Sequence, residues 1–343
     1  MKKSLFLAAI ATIALASCTQ NEDFSQPEKI SFNPVNYKAK STKAPITGAY
    51  YTSNDPSFGI FAFHTDKGWN ETGTTIKEYI QKSEVTWQTD EWNTTTDAYW
   101  PLSGSLTFIG YTPFDGIDAK YTIGSKTLTI SDFSAANQDD LMYTLPSDAQ
   151  DLKANTENYN NGNTANTYAG VPIKFRHALS QIVVKAKVAD TYADATFTIN
   201  SISLQGMNDN ATLTVTESAS WGTPSIRDAA FNILTAGTEE LNTTLTEIED
   251  PVLVIPQALV AQQQKLVISY SMTFNNVTTS TSKDVYLNSG TNDALTALAM
   301  GKKYTLNLTI YADRILYSPS IEEDWSDGGS SYDVLPEQPA AGN

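Results

Sequence analysis

The sequence predicts an all-β protein built from two tandem β-sandwich domains, and three observations carry this prediction. The 343 residues include 17 Tyr, 13 Phe and 6 Trp, whereas charged residues make up only 17%. This balance is typical of strands rather than helices. Short apolar or alternating runs recur along the chain between polar turns, as they do in β-sandwiches. The length is sufficient for two such domains.

The first seventeen residues have the pattern of a lipoprotein signal peptide. Lys2 and Lys3 precede an apolar run, residues 5–15, which is too short to span a bilayer as a permanent helix. The following Leu-Ala-Ser-Cys resembles a bacterial lipobox, so we expect cleavage between Ser17 and Cys18 and lipid attachment at Cys18. The acyl groups would anchor the chain at roughly 0.8 kcal/mol per buried CH₂. The alternative is an ordinary secretory signal with a chance cysteine.

Residues 18–43 form the predicted pro-segment. It contains one strand-like patch at residues 30–32, and then a cluster of lysines at Lys38, Lys40 and Lys43. Two interpretations fit this composition: a plain linker, or a first strand followed by an exposed site for a trypsin-like protease.

Residues 44–170 form the predicted N-terminal β-sandwich domain. Its predicted strands are at residues 58–63, 85–87 and 106–111, with a hairpin joining residues 121–123 to 128–130. The stretch from residue 147 to 170 is polar and rich in asparagine, so we expect a loop or domain linker there.

Residues 171–328 form the predicted C-terminal β-sandwich domain, followed by a polar tail at residues 329–343. Predicted strands lie at residues 181–188, 196–204, 211–216, 252–255, 265–274 and 303–311. Residues 304–310 alternate apolar and polar side chains, which predicts a half-buried strand in an antiparallel sheet. One short helix is predicted at residues 292–299.

The charge and the scarce histidine and cysteine residues argue against several function classes. The formal net charge is −16, which disfavours nucleic acid as a partner because phosphate binding needs a basic patch. One cysteine and two histidines, His64 and His177, disfavour a disulfide, a zinc site or any other metal site. We expect both histidines to be structural. No nucleophile elbow or phosphate-binding loop occurs. We therefore predict no cofactor and no enzymatic activity.

Two tryptophans in polar surroundings are the candidates for exposed aromatic side chains that face a partner. Trp69 is flanked by Gly68 and Asn70, and Trp92 follows an acidic pair, Asp90 and Glu91. Exposed aromatic faces stack on sugars, so these two residues would carry the alternative function, which is a non-polymerising surface lipoprotein that binds a glycan or a host ligand.

Several spaced phrases of the sequence resemble the fimbrillins of Bacteroidales, the major and minor subunits of their fimbriae. They are Tyr-Trp-Pro at residues 99–101 with Leu-Thr-Phe-Ile-Gly-Tyr-Thr-Pro at 106–113, Asp-Leu-Met at 140–142, Phe-Arg-His-Ala-Leu-Ser-Gln-Ile at 175–182, Leu-Val-Ile-Pro-Gln at 253–257, Gly-Lys-Lys-Tyr at 301–304 and Asp-Trp-Ser-Asp-Gly at 324–328. They follow the family order over most of the chain.

The resemblance implies two transthyretin-like domains and a lipoprotein precursor exposed on the outer membrane. It also implies that a protease removes the first strand and that other fimbrial subunits then polymerise by inserting a donor strand into the vacated groove. Here the cut would fall between Lys43 and Ala44, with Lys40 and Lys38 as alternatives. A ligand on a host or bacterial surface is a further implied partner.

The donor segment is open to two interpretations. In the tail, only Tyr332, Val334 and Leu335 offer apolar side chains before Pro336 breaks the alternation. A donor at residues 315–321 is the alternative. A stalk subunit and a tip or anchor subunit are both compatible with such a tail.

Overall fold

The computed structural model describes residues 28–35, 57–88, 91–153, 170–189, 194–224, 229–238, 240–249, 251–290 and 295–322. Within these ranges the regular structure consists of 21 strands and three short 3₁₀ helices, at Ile123–Ser125, Ala135–Asn137 and Pro146–Asp148. The prediction of an all-β protein is therefore confirmed. The finer prediction of two tandem transthyretin-like domains, with a boundary between residues 170 and 171, stays a prediction.

Eight strands belong to the part of the chain before residue 170. They are β1 (Phe32–Val35), β2 (Ser57–Thr65), β3 (Ile76–Gln88), β4 (Glu91–Thr94), β5 (Ser105–Thr112), β6 (Asp118–Thr122), β7 (Thr127–Ser134) and β8 (Met142–Tyr143). The runs predicted at residues 58–63, 85–87 and 106–111 lie in β2, β3 and β5. The predicted hairpin is β6 and β7, which pair antiparallel.

Thirteen strands follow residue 170. They are β9 (Val171–Lys174), β10 (Arg176–His177), β11 (Ser180–Val188), β12 (Thr196–Met207), β13 (Asn210–Val215), β14 (Ala219–Trp221), β15 (Ala229–Leu234), β16 (Thr246–Glu247), β17 (Val252–Val254), β18 (Lys265–Phe274), β19 (Val277–Tyr286), β20 (Lys303–Ile310) and β21 (Ile315–Glu322).

An eight-stranded sheet contains most of the N-terminal strands, in the order β10-β8-β5-β2-β3-β4-β1-β9. Strands β9 and β10 are at opposite ends of this order, yet only Phe175 separates them in sequence. The sheet must therefore curl until its two ends meet. Its concave side holds an apolar core that includes Phe32, Phe58, Trp92 and Phe108, because alternate side chains of curled strands point to one side.

The remaining strands form three further sheets. Strand β11 lies between β16 and β20, with β21 beyond β20, and β11 also pairs with β17. A second sheet has the order β15-β12-β18-β19, and a third the order β14-β13-β7-β6. The third sheet joins two strands from each side of residue 170, since β7 pairs antiparallel with β13. One core cluster includes residues from both sides, such as Ile130 and Leu306.

Two sequence predictions about the C-terminal half are wrong. Strand β20 was predicted in an antiparallel sheet, but it pairs parallel with β11 on one side and antiparallel with β21 on the other. The predicted helix is not formed at residues 295–299, the part of it that the structure describes. There Ala297 bridges Ala258, and Leu295 and Leu298 are buried in an extended segment.

Candidate functional site

The first described segment, residues 28–35, occupies an internal position of the eight-stranded sheet. Strand β1 lies between β4 and β9. It pairs parallel with β9 over four residues, from Phe32 opposite Val171 to Val35 opposite Lys174. On the other side Phe32 lies opposite Trp92 in β4. The segment therefore fills a slot between two strands that are not otherwise hydrogen-bonded to each other in the sheet.

The slot is apolar, and two side chains of the segment fill it. Ile30 and Phe32 are fully buried. The Phe32 ring makes edge contacts with Phe58, at 6.2 Å between ring centroids, and with Phe108, at 5.7 Å. Burying side chains of this size contributes about 1.5–3 kcal/mol each. Removal of the segment would expose a groove lined by these aromatic rings.

A glycine allows the backbone of the segment to approach closely. Gly170 has φ +106°, a conformation that other residues rarely adopt, and a Cβ built on it would lie 2.8 Å from backbone atoms of Ser31 and Phe32. The amide of Val171 donates a hydrogen bond of 2.8 Å to the Ser31 carbonyl. The Gly170-Val171 step thus forms one backbone wall of the slot.

The hydrogen-bonded ladders that hold β1 are short. The strand has four residues, and Pro34 has no amide proton to donate to a neighbour. Upstream, Ile30 and Trp100 donate amide hydrogen bonds of 2.8 Å to Ala98 and Glu28, respectively. Lys29 and Asp97 form an ion pair of 2.6 Å at the surface, where such pairs contribute little. Burial of Ile30 and Phe32 is therefore the main attraction that retains the segment.

The profile of the fimbrillin-like family matches residues 42–325. This chain belongs to the fimbrillin-like family. It is 29% identical over 204 residues to the fimbrium subunit Fim1C of Phocaeicola vulgatus, a match that covers 54% of this chain and 52% of the relative. The matched part therefore spans about half the length of that curated relative.

The fold of this fimbrillin-like chain is similar to that of a fimbrial protein from Bacteroides vulgatus with a known crystal structure. The TM-score is 0.63 at 19% identity, and the match covers 87% of this chain and 99% of the other. The curated relative Fim1C is described as a fimbrium subunit. This agrees with the prediction that the chain is not an enzyme.

The predicted lipidation and cleavage sites of the fimbrillin-like chain lie outside the described residues. These are Ser17 and Cys18 at the lipobox, and Lys43 and Ala44 at the predicted maturation site, with Lys38 and Lys40 as its alternatives. They stay predictions. All three lysines follow β1 in sequence, so a cut after any of them would separate β1 from the rest of the chain.

The prediction that Trp69 is exposed is wrong. Its side chain is fully buried and packs against Phe63, at 5.8 Å between ring centroids. Its amide donates a 2.8 Å hydrogen bond to Asp151, and the Lys126 ammonium lies 4.9 Å from the centroid of the indole. The neighbouring Asn70 accepts a hydrogen bond from Lys126, while the Trp69 ring belongs to the apolar core.

The prediction that Trp92 is exposed is also wrong. It lies on β4 and is 2% exposed, whereas the neighbouring Glu91 faces solvent. Its ring packs against Phe58 at 5.5 Å and Trp87 at 5.6 Å. Only Glu91, the first residue of β4, is exposed, since Asn93 and Thr94 are buried as well. The glycan-binding alternative therefore loses both of its proposed aromatic residues.

The two histidines have structural contacts. The His64 Nε2 lies 2.7 Å from the Ser103 carbonyl near the end of β2, and the His177 Nδ1 lies 3.0 Å from the Asp140 carboxylate. Next to His177, the hydrogen bonds with Asp148 raise the pKa of the Arg176 guanidinium. Arg176 therefore fixes the chain directly after β9, the strand that pairs with β1.

No group of three or more His, Cys, Asp or Glu side chains is arranged to hold a metal ion in the described ranges. Within the same ranges, no helix is long and apolar enough to cross a bilayer. The slot around β1 is the candidate functional site because it holds a short, buried, internal strand. A first strand near residues 30–32 was one of two interpretations of the sequence, and the structure places β1 at Phe32–Val35. Gly170 was missed; its signal is a lone glycine directly before the strand-like Val-Pro-Ile-Lys.

Proposed function

We propose that this chain is a structural and adhesive fimbrial subunit. It is exported to the cell surface as a lipoprotein precursor, with the lipid attached at Cys18. A trypsin-like protease then removes residues 18–43, and subunits assemble by donor-strand exchange. The observation that carries the proposal is the internal, buried position of residues 28–35, upstream of the predicted cut. Loss of an internal strand leaves unpaired backbone and an apolar groove, which an extended segment of another subunit satisfies.

Two segments compete as donor. The tail at residues 329–343 lies outside the described residues. The alternative, residues 315–321, corresponds to β21, an edge strand that pairs with β20 on one side. Its side chains Leu316 and Ile321 are 49% and 56% exposed. An edge strand is the easier one to release, because only one ladder has to break.

Protease treatment of the non-lipidated chain, beginning at residue 19, tests the cleavage and assembly steps. We expect a new N-terminus at Ala44, followed by ladders that resist SDS. The matched control replaces Lys38, Lys40 and Lys43 with Gln, which should prevent both events. If residues 24–43 stay protected, or if the cut chain remains monomeric at every protease dose, this route of assembly is wrong.

A pair of variants distinguishes the two donors. If the tail is the donor, truncation after residue 328 should abolish the SDS-resistant ladders. If β21 is the donor, the truncated chain should still form them. Replacing both Leu316 and Ile321 with Asp should give the opposite result. Cleavage at Lys43 should proceed in both variants, since neither alters the pro-segment, and N-terminal sequencing checks this.

A further inference from the structure

A loop at one end of the β1 slot presents an apolar surface to solvent. Leu102 is fully exposed, and Tyr79 and Tyr99 are about 40% exposed. Single exposed apolar side chains are common on protein surfaces. Here three such side chains are neighbours: Tyr99 and Leu102 lie on the loop between β4 and β5, and Tyr79 on β3 is hydrogen-bonded to the same loop. We call them the Tyr79–Tyr99–Leu102 patch.

Hydrogen bonds hold the loop on both sides of Leu102. The Tyr79 hydroxyl donates a 2.6 Å hydrogen bond to the Tyr99 carbonyl. On the other side the His64 Nε2 lies 2.7 Å from the Ser103 carbonyl, and the His64 and Tyr79 rings are 6.3 Å apart. Gly104, at φ +79°, permits this approach, because a Cβ there would lie 2.3 Å from His64 Nε2.

The patch adjoins the start of the segment that fills the slot. Lys29 forms a β-bridge with Tyr99, and the Trp100 amide donates to the Glu28 carbonyl. Lys29 also pairs with Asp97, just before the loop. Removal of residues 18–43 takes away Lys29, which lies beside Tyr99 and pairs with Asp97. The same cut would therefore open the groove and expose this end of the slot.

We propose that the Tyr79–Tyr99–Leu102 patch is the docking surface for the folded body of the neighbouring copy of this chain, the copy that supplies the donor strand. The proposal rests on the proposed function. Both candidate donors lie near the end of the chain, so the donor's body precedes its strand. A replacement strand that runs in the direction of β1 keeps the parallel pairing with β9 and the antiparallel pairing with β4. Its body then stands where residue 28 now lies, beside the patch.

The chemistry of the patch fits a protein partner. Tyrosine side chains offer large contact areas at low conformational cost, and they are enriched at interaction hot spots. The fixed loop presents Leu102 without a further cost of ordering, because both flanking carbonyls are already bonded. The patch would add a second contact to the strand in the groove, which raises the affinity between copies.

The test compares Leu102→Asp with a matched control, Val260→Asp, which charges another exposed apolar side chain, on a turn of the C-terminal half. Both chains, beginning at residue 19, are cut with a trypsin-like protease, and N-terminal sequencing verifies the cut. A synthetic peptide with the sequence of residues 28–35 then measures whether the groove is intact. Tyr99→Ser provides a second variant, because the hydrogen bond from Tyr79 uses the Tyr99 backbone.

We expect the Leu102→Asp and Tyr99→Ser variants to be cut and to bind the peptide like the unaltered chain. Copies of each variant should, however, associate at least tenfold more weakly than copies of the unaltered chain. Val260→Asp should associate normally. Unchanged association of Leu102→Asp, or an equal loss in Val260→Asp, overturns the docking surface and leaves the proposed function intact. If the unaltered chain is cut and binds no second copy, the proposed function is wrong and the docking surface falls with it.

Discussion

At the scale of single residues, the slot around β1 depends most on Gly170. Its positive φ and its closeness to Phe32 both exclude a Cβ. The sequence shows only a glycine before a proline-containing strand. This pattern is also typical of an ordinary turn. The approach of two backbones 138 residues apart in sequence is a tertiary feature (170 − 32 = 138), so local reasoning about the sequence did not identify it.

Replacing Gly170 with Ala should lower the free energy of unfolding by about 1–3 kcal/mol, through backbone strain and collision with β1. Gly124→Ala is the matched control, because a Cβ there meets nothing within 4 Å. Urea denaturation measures both. Equal stability of the two variants would show that β1 does not press on Gly170 in solution.

Three tyrosines with buried hydroxyl groups define a second prediction at this scale. Burial raises the pKa of Tyr111, Tyr121 and Tyr317, with Asp115 adding to the effect at Tyr111 and Glu217 at Tyr121. Their hydroxyls have no hydrogen-bond partner among the described residues. In the unfolded chain a tyrosine ionises near pH 10, so the buried neutral form contributes full stability below that pH.

We therefore expect stability to fall as the pH rises above about 10, by up to about 1.4 kcal/mol per pH unit for each tyrosine. Urea midpoints at pH 9 and pH 11 measure the fall. The variant with Tyr111, Tyr121 and Tyr317 all replaced by Phe should show a shallower decline. It should keep its stability at pH 7, since no observed hydrogen bond is lost. An equally steep decline in this variant would assign the effect to other groups.

At the scale of elements, strands were predictable wherever their pattern was local. The runs within β2 and β5 are long and apolar, and Tyr304–Ile310 in β20 alternates, so all three strands were identified. The direction of pairing was not, because β20 meets β11 across more than a hundred residues and period-two alternation is the same in parallel and antiparallel ladders.

The helix predicted at residues 292–299 failed for a related reason. Leu295 and Leu298 are three residues apart, as on a helix face, but both are buried by an extended chain that hydrogen-bonds to Gln257 and bridges Ala258. Trp69 and Trp92 were misjudged in the same way. The polarity of sequence neighbours does not report which side of a strand or loop faces the core.

Strand β1 supplies a prediction at this scale, since burial rather than hydrogen bonding retains it. Phe32→Ala should cost about 3 kcal/mol, because a fully buried ring is lost from between Phe58 and Phe108. Phe274→Ala, at a ring that is 48% exposed, should cost less than about 1 kcal/mol. Urea denaturation compares them. A similar cost for both would mean that β1 adds little to the folded state.

At the scale of the whole molecule, the two β-rich blocks of the sequence share one sheet and one core. Strands β6 and β7 from before residue 170 complete a sheet with β13 and β14 from after it. The Gln138 side chain donates to the Leu253 carbonyl and accepts from the Leu253 amide, at 2.9 and 2.8 Å. Pairing between distant blocks leaves no local mark in a sequence, which is why the composition of each block suggested separate domains.

We expect the shared sheet and core to make unfolding cooperative across residue 170. Ile130→Ala in β7 and Leu306→Ala in β20 each remove a fully buried side chain, and each should cost about 2–5 kcal/mol. Both should lower the midpoint of a single calorimetric transition. Two resolved transitions, each shifted by only one of the variants, would contradict this expectation.

The parallel pairing of β11 with β20 joins segments that are far apart in the sequence. Gln181 lies opposite Lys303, 122 residues later (303 − 181 = 122), and the ladder ends with Val188 opposite Ile310. Strand β11 therefore cannot pair with β20 until residues 303–310 have been synthesised. Such long-range closure slows folding. The sheet around β11 therefore cannot be completed until residue 310 is available.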